Sequence, residues 1–330
     1  MEQRKLAGRL LNPVGLGCMN VAWAYGNPPP REDAVALFRH ALDNGCDHFD
    51  TANIYGRGLS EEILREGLAG RRNDIFLATK TGIVVDGPHR GIDCRPESIT
   101  ASLDSSLKRL GTDRVELFYM HRFDPKVPIA DSVGAMVRAV EAGKIGGYGV
   151  SEWSAAHIRE AHDVHPMLAV QTEYSLWTRN VELGVLESTR ELGIALVAFS
   201  PVARGALAGA VTDVAMLEER DLRRSQPRFL PENWEKNRKL VQAFNSLARE
   251  AGVAPAQLAL AWVLSRGDHV HVIPGTRSIA HWQENEDTRS QAIAPEVLER
   301  AGMLINQQTV AGHRYPEIMR GTIDTEDFPA

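Results

Sequence analysis

A carboxylate and a phenol stand close together in Asp50-Thr51-Ala52-Asn53-Ile54-Tyr55-Gly56, just past the short run His48-Phe49. Neither is unusual singly, but a phenol held near a carboxylate and a lysine can be tuned to donate a proton. The chain offers that lysine at Lys80, closing Ile75-Phe76-Leu77-Ala78-Thr79-Lys80, and an imidazole at His121, closing Leu117-Phe118-Tyr119-Met120-His121. A lysine after a strand is ordinarily a solvated residue, and a histidine there ordinarily a structural one. Together with Asp50 and Tyr55 they offer complementary chemistry at three successive strand ends, which makes coincidence the weaker account.

The elements that would position these residues follow from the apolar pattern. Short strand-like runs alternate with loops and amphipathic helix-like segments nearly to the end of the chain, in eight rounds. The strand candidates are Val14–Leu16, Cys46–Asp50, Ile75–Lys80, Val115–His121, Ile145–Val150, Leu168–Thr172, Ala195–Ser200 and Val270–Ile273. Helices are expected at Arg31–Asn44, Ser60–Ala69, Pro96–Leu110, Ile129–Ala142, Ser154–Val164, Val181–Leu192 and Lys239–Arg266, the last broken at Gly252. Pro96 and Glu97 mark the start of one helix and Gly111 its end. Ala7-Gly8 would turn a small N-terminal hairpin.

No composition break or Pro/Gly-rich linker divides residues 1–330, so the spacing predicts an α/β chain folded as a single (β/α)8 TIM barrel domain. The C-terminal strand ends of such a barrel face one shared pocket, where Asp50, Tyr55, Lys80 and His121 would converge. One stretch breaks the regular spacing. Residues 204–237, after the seventh strand, are long and charged, and read equally as an active-site lid and as a surface insertion.

With 330 residues and 43% hydrophobic content the chain can bury a large core. Its net charge of −6 is small for this length and its basic residues are dispersed, so neither nucleic acid nor an anionic membrane is an indicated partner; a small molecule is. The N-terminal stretch lacks the apolar core of a signal peptide, and no 18-residue apolar run follows, so a cytoplasmic location is expected. Cys18, Cys46 and Cys94 are odd in number and widely spaced, which fits free thiols in a reducing compartment.

The segment from Asp50 to Gly56, Lys80 in Leu77-Ala78-Thr79-Lys80-Thr81-Gly82 and His121 in Leu117 to Arg122 together resemble the aldo-keto reductase family. Further matches run through the chain in barrel order: Gly15 to Met19, Gly149 to Glu152, Gln171 to Trp177, Phe199-Ser200-Pro201, Ile273 to Arg277, and Glu284-Asn285. The resemblance implies NAD(P)H-dependent carbonyl reduction with Asp50, Tyr55, Lys80 and His121 as the catalytic four. Hydride would pass from a nicotinamide to the carbonyl carbon, and Tyr55 would protonate the oxygen as charge develops there. Lys80 would lower the phenol from its ordinary pKa near ~10, Asp50 would hold Lys80, and His121 would orient the substrate oxygen.

By the same resemblance Ser151 and Gln171 would bind the nicotinamide carboxamide, Phe199 would stack under the ring within Phe199-Ser200-Pro201, and Glu284 and Asn285 would meet the adenine. Glu152 stands where members often have asparagine, and Phe199 where many have tyrosine. Gly275, Thr276 and Arg277 precede a helix after the eighth strand, a place suited to phosphate, so Arg277 would bind the 2′-phosphate and favour NADPH over NADH. Gly15 to Asn20 fails the Rossmann pattern at its last position, which fits a barrel that holds the dinucleotide differently.

A metal site is not expected, because His269 and His271 lack a partner set and His157 and His162 are not spaced as helical neighbours. Gly149 to Trp153 lacks the final glycine of a hydrolase nucleophile elbow. Two readings stand: a reductase of carbonyl compounds, and a barrel that binds the cofactor as a sensing subunit, as the potassium-channel β subunits of the family do. The substrate would meet an aromatic rim of Trp23, Tyr25 and Trp153 with the loop from Arg204.

Overall fold

A computed structural model of the chain describes residues 1–86, 89–209 and 211–329. Its strands are β1 (Arg4–Leu6), β2 (Arg9–Leu11), β3 (Leu16–Gly17), β4 (His48–Asp50), β5 (Phe76–Thr81), β6 (Ile83–Asp86), β7 (His89–Ile92), β8 (Leu117–Met120), β9 (Tyr148–Ser151), β10 (Ala169–Glu173), β11 (Ala195–Phe199) and β12 (Val270–Val272). The helices are α1 (Arg31–Asp43), α2 (Leu59–Gly67), α3 (Pro96–Leu110), α4 (Ile129–Glu141), α5 (Ala155–Val164), α6 (Val185–Glu191), α7 (Pro231–Glu250), α8 (Pro255–Leu264), α9 (Ile279–Glu286), α10 (Pro295–Leu304) and α11 (Glu317–Arg320).

Eight strands pair in parallel in the order β3-β4-β5-β8-β9-β10-β11-β12. The first and last then meet: Val14 bridges Val272, Gly17 bridges Gly275, and Gly15 N donates to Val272 O at 2.8 Å. Gly17 permits this seam, since a Cβ there would sit 2.7 Å from the Ile273 carbonyl oxygen. The chain therefore closes as the expected (β/α)8 barrel. Parallel strands covered on both faces are largely apolar, and every residue of β5, β8, β9 and β10 is buried, including the polar Thr79, Lys80, Thr81, Ser151, Gln171, Thr172 and Glu173 toward their C-terminal ends.

Two apolar cores result. The larger lies between the strands and the ring of helices, with Phe38, Phe49, Phe118, Met136 and Trp262 among its members. The smaller fills the base of the barrel, where Leu6 and Leu11 of the β1–β2 hairpin pack on Phe76, Leu117, Tyr119 and Val197. The hairpin turns at Ala7 and Gly8, both with positive φ (50° and 82°), a backbone whose twist suits a two-residue turn. The base is thus plugged, and the C-terminal end of the barrel is left as the end where loops can build a site.

Several boundaries differ from expectation. The helix expected from Lys239 begins at Pro231, whose fixed φ suits a first helical turn, and the expected break at Gly252 is where α7 and α8 part as two helices. The long stretch after β11 accordingly ends near residue 230 and is built of short 3-10 turns. The segment expected as one helix over Val181–Leu192 divides into a 3-10 turn at Asn180–Leu183 and α6. An antiparallel pair, β6 with β7, stands directly after β5 and had no place in the expected alternation.

Candidate active site

The register of the adjacent strands sets the first part of the site. Asp50 at the end of β4 lies opposite Ala78 of β5, and Lys80 of β5 lies opposite Tyr119 of β8, so both side chains project into the barrel near its C-terminal end. Lys80 is fully buried. Its ammonium donates to Asp50 Oδ1, to the Thr51 carbonyl at 2.8 Å and to Tyr55 Oη at 3.5 Å. The other Asp50 oxygen accepts from Gln171 Nε2 at 2.8 Å. The Tyr55 and His121 rings stand edge to face, 6.0 Å between centres. The four residues, drawn from three strand ends, are therefore brought together.

Electrostatics assign protonation states to the group. Burial works against the Lys80 charge, but Asp50 and Tyr55 outweigh it and hold the ammonium above the ordinary lysine range. Burial raises the Tyr55 phenol, and the nearby Lys80 ammonium offsets only part of that rise. This corrects the expectation that Lys80 brings the phenol below its usual value: in the protein alone burial dominates, and Tyr55 stays protonated at neutral pH, the state in which a proton donor must begin. Burial, with Arg122, Lys80 and Arg90, drives the His121 pKa well below 6.5, so the ring is neutral. Its Nδ1 is buried with no hydrogen-bond partner among the described residues.

Further round the barrel, Ser151 of β9 and Gln171 of β10 are register partners, both buried. The Ser151 hydroxyl has no partner among the described residues. Phe199 closes β11 and is partly exposed, followed by Ser200 at φ 51° and by buried Pro201. After β12, Thr276 Oγ1 accepts from Ser278 N at 3.0 Å, and Ser278 caps α9 by accepting from His281 N. Arg277 is exposed and donates to the Asn27 carbonyl at 2.6 Å. Gly275 and Glu284 are partly exposed and Asn285 is buried, so these residues line one side of the barrel mouth and the helix beyond it.

The rim is built differently from expectation. Trp23 is exposed and Tyr25 lies beneath the Arg223 guanidinium at 5.0 Å, but Trp153 is only 1% exposed and packs against Phe123. Trp153 thus belongs to the packed core rather than the rim, because the C-terminal segment covers its loop. Ser154 N donates to Asp324 Oδ2 at 2.7 Å, and the Glu152 carbonyl accepts from Asp324 N and Thr325 N. The Glu152 side chain, fully buried, pairs with Arg314 at 2.9 Å and accepts from Thr325 Oγ1 and Glu173 N. The stretch after β11 is likewise tied down: Leu222 N donates to Ala24 O at 2.9 Å, and Glu218 accepts from Asn27 N and Nδ2.

Sequence reasoning passed over several residues near the mouth: the Arg204–Glu173 ion pair at 3.1 Å, Tyr315 stacked under Arg204, and buried Arg122. Arg122 follows His121 directly, so its place after a strand end was a usable signal. Tyr315 and Arg314 had none, being far from the barrel strands in sequence. Backbone strain marks the same end of the molecule. Among the described residues seven non-glycine residues have positive φ, and all but Ala7 (Ala24, Arg57, Glu152, Ser200, Ala203 and Arg204) lie in loops that leave strand C-termini. Such conformations persist only where the surroundings enforce them.

Comparison with known proteins bears on the chain as a whole. The model of the Aldo/keto reductase family matches residues 13–301. The aldo-keto reductase yakc [NADP(+)] of Schizosaccharomyces pombe is 38% identical over 321 residues, spanning 95% of this chain and 94% of its own. Among solved structures, the glycerol dehydrogenase AKR11B4 of Gluconobacter oxydans superposes with a TM-score of 0.83 at 26% identity, over 100% of this chain and 98% of its own. The holo form of aldo-keto reductase AKR11C1 of Bacillus halodurans gives 0.76 at 25% identity, over 96% and 99%. Among the described residues no group of three or more metal-binding side chains comes together, and no helix is long and apolar enough to cross a membrane. The chain therefore belongs to the aldo/keto reductase family of oxidoreductases.

Proposed function

We propose that the protein interconverts aldehydes or ketones with their alcohols using NADP(H), and that in reduction Tyr55 gives its proton to the carbonyl oxygen. The observation that carries this reading is the Asp50–Lys80–Tyr55 chain of contacts, with a neutral His121 beside it at the same barrel end. When bound, the reduced nicotinamide supplies the hydride. Lys80, fixed by Asp50 and the Thr51 carbonyl, stabilises the phenolate that Tyr55 becomes on releasing its proton. His121, uncharged, is suited to donate a hydrogen bond to the substrate oxygen without competing as an acid.

The residues present fit the cofactor. The buried Ser151 hydroxyl lacks a partner among the described residues and stands in register with Gln171, whose amide suits a carboxamide. Phe199 keeps a partly exposed ring for stacking, with Ser200 and Pro201 following it. Gly275, Thr276 and exposed Arg277 precede the N-terminus of α9, which suits a phosphate, and Glu284 and Asn285 on that helix suit the adenine. The S. pombe relative carries NADP(+) in its name, which supports NADPH over NADH.

Tyr55→Phe tests the assignment. With NADPH consumption followed by absorbance over a panel of aldehydes, the variant is expected to lose nearly all turnover while NADPH binding, read by fluorescence, persists. Wild-type turnover by the variant would overturn the role of Tyr55. A wild-type protein that binds NADPH and reduces nothing in the panel would favour the cofactor-sensing alternative.

A further inference from the structure

We infer that the substrate carries an oxyanion, a carboxylate or a phosphate, and that Arg122 on the His121 side of the pocket, with Arg90 of β7, receives it. The inference names a substrate class and rests on the active-site reading above.

Arg122 is 6% exposed, and a guanidinium so buried requires a counter-charge. Arg314, equally buried, pairs with Glu152 at 2.9 Å, and the half-buried Arg204 and Arg223 pair with Glu173 at 3.1 Å and with Asp221 at 2.6 Å. Arg122 has, among the described residues, only the His121 carbonyl, to which Nη1 donates at 2.6 Å. Among the described side chains, which do not include those of residues 86–89, no carboxylate lies within 4.0 Å of Arg122 or of Arg90. The buried acids Asp50 and Glu173 are already engaged by Lys80 and Arg204, and buried Asp124 accepts from the Cys94 and Lys126 amides.

The position of Arg122 explains what the unspent charge faces. It follows His121 at the C-terminal end of β8, and its field reaches Tyr55, His121 and Tyr315 as well as Arg90. Arg90 stands on the β6–β7 hairpin, which follows directly on β5 and its Lys80, and it is exposed. The residue is exposed as a whole but its guanidinium end is partly enclosed, so burial, and after it the like charge of Arg122, lower the Arg90 pKa. An oxyanion placed between them relieves that repulsion, and guanidinium forks match the geometry of carboxylate and phosphate alike. Arg122 is thereby a specificity residue, one peptide unit from the histidine that would orient the carbonyl oxygen.

The test compares matched substrates. For wild type, kcat/KM is measured for 4-carboxybenzaldehyde and its methyl ester, and for glyceraldehyde 3-phosphate and glyceraldehyde; the pair with the larger preference identifies carboxylate or phosphate. Wild type is expected to prefer the anionic member, and Arg122→Met to reduce that preference about 10–100-fold, in line with the loss of a charge-assisted hydrogen-bonded pair. Arg90→Ala, a change on an exposed hairpin, is expected to reduce it severalfold, and this arm decides the matter should Arg122→Met not fold. An independent readout is the thermal shift given by 4-carboxybenzyl alcohol on NADP(+)-loaded protein, expected for wild type and diminished in both variants.

Equal losses for the charged and neutral members would overturn the inference and leave Arg122 as electrostatic support for Tyr55. So would a wild type without preference in either pair. Failure of wild type to reduce any of the four aldehydes would instead strike the reductase reading itself.

Discussion

At the scale of single residues, opposing influences on one group decide what it can do. Tyr55 feels burial raising its pKa and Lys80 lowering it, and the balance keeps the proton in place until something accepts it. Arg277 is simpler, because it is exposed and spends one described hydrogen bond on the Asn27 carbonyl, leaving the rest of its fork to solvent. A phosphate contact with a guanidinium is worth about 1.5–3 kcal/mol, which corresponds to roughly 10–100-fold in affinity. Arg277→Ala is therefore expected to weaken NADPH by about that factor and NADH far less. Titration of both cofactors checks this, and an unchanged NADPH affinity would remove Arg277 from phosphate recognition.

Among the elements, the C-terminal segment does more than end the chain. Glu152, held at φ 59° after β9, gathers Arg314, Thr325 and the Asp324 and Thr325 amides around itself with no exposure of its own. Removing one partner of such a pair strands the other charge, a loss of about 3–5 kcal/mol. Glu152→Ala should accordingly unfold at lower urea concentration and show faster amide exchange across residues 306–329 than across the β-strands. Uniform acceleration through the barrel would show that Glu152 is no local staple.

What was legible in the sequence divides along the same lines. Asp50, Lys80 and His121 could be read because each closes an apolar run, and a parallel barrel turns such ends toward one mouth. The Glu152–Arg314 pair spans 162 positions and leaves no periodic trace, so Glu152 could be noticed only as a departure from the family pattern. The β6–β7 hairpin left only a partial trace, the β-forming Ile83-Val84-Val85 before Asp86-Gly87, because His89-Arg90-Gly91-Ile92 is not β-rich, and it fell inside a region read as a loop between strand and helix. Pro231 and Glu232 likewise announced the start of α7, and the charged residues around them masked it.

For the molecule as a whole, the base of the barrel sets how it tolerates acid. His48 of β4 and His271 of β12 are fully buried near the plugging hairpin, where His271 Nε2 lies 3.4 Å from the Lys5 carbonyl oxygen. Both His48 nitrogens and His271 Nδ1 lack partners among the described residues. Burial, with Lys80 acting on His48 and His48 on His271, lowers each pKa from 6.5 to about 3. The folded state thus binds these protons less readily than the unfolded chain does. Stability from this source is fully present above pH 6.5 and is lost as the pH falls toward 3. Within that window each histidine costs about 1.4 kcal/mol per pH unit. Replacing one with an apolar residue removes a group that must charge, so His48→Leu should flatten the decline in unfolding free energy measured by urea titration between about pH 6 and 4. The comparison is of slopes, which discounts any packing change common to every pH. Parallel slopes for wild type and variant would mean that carboxylates elsewhere, not the histidines beneath the barrel, govern its acid limit.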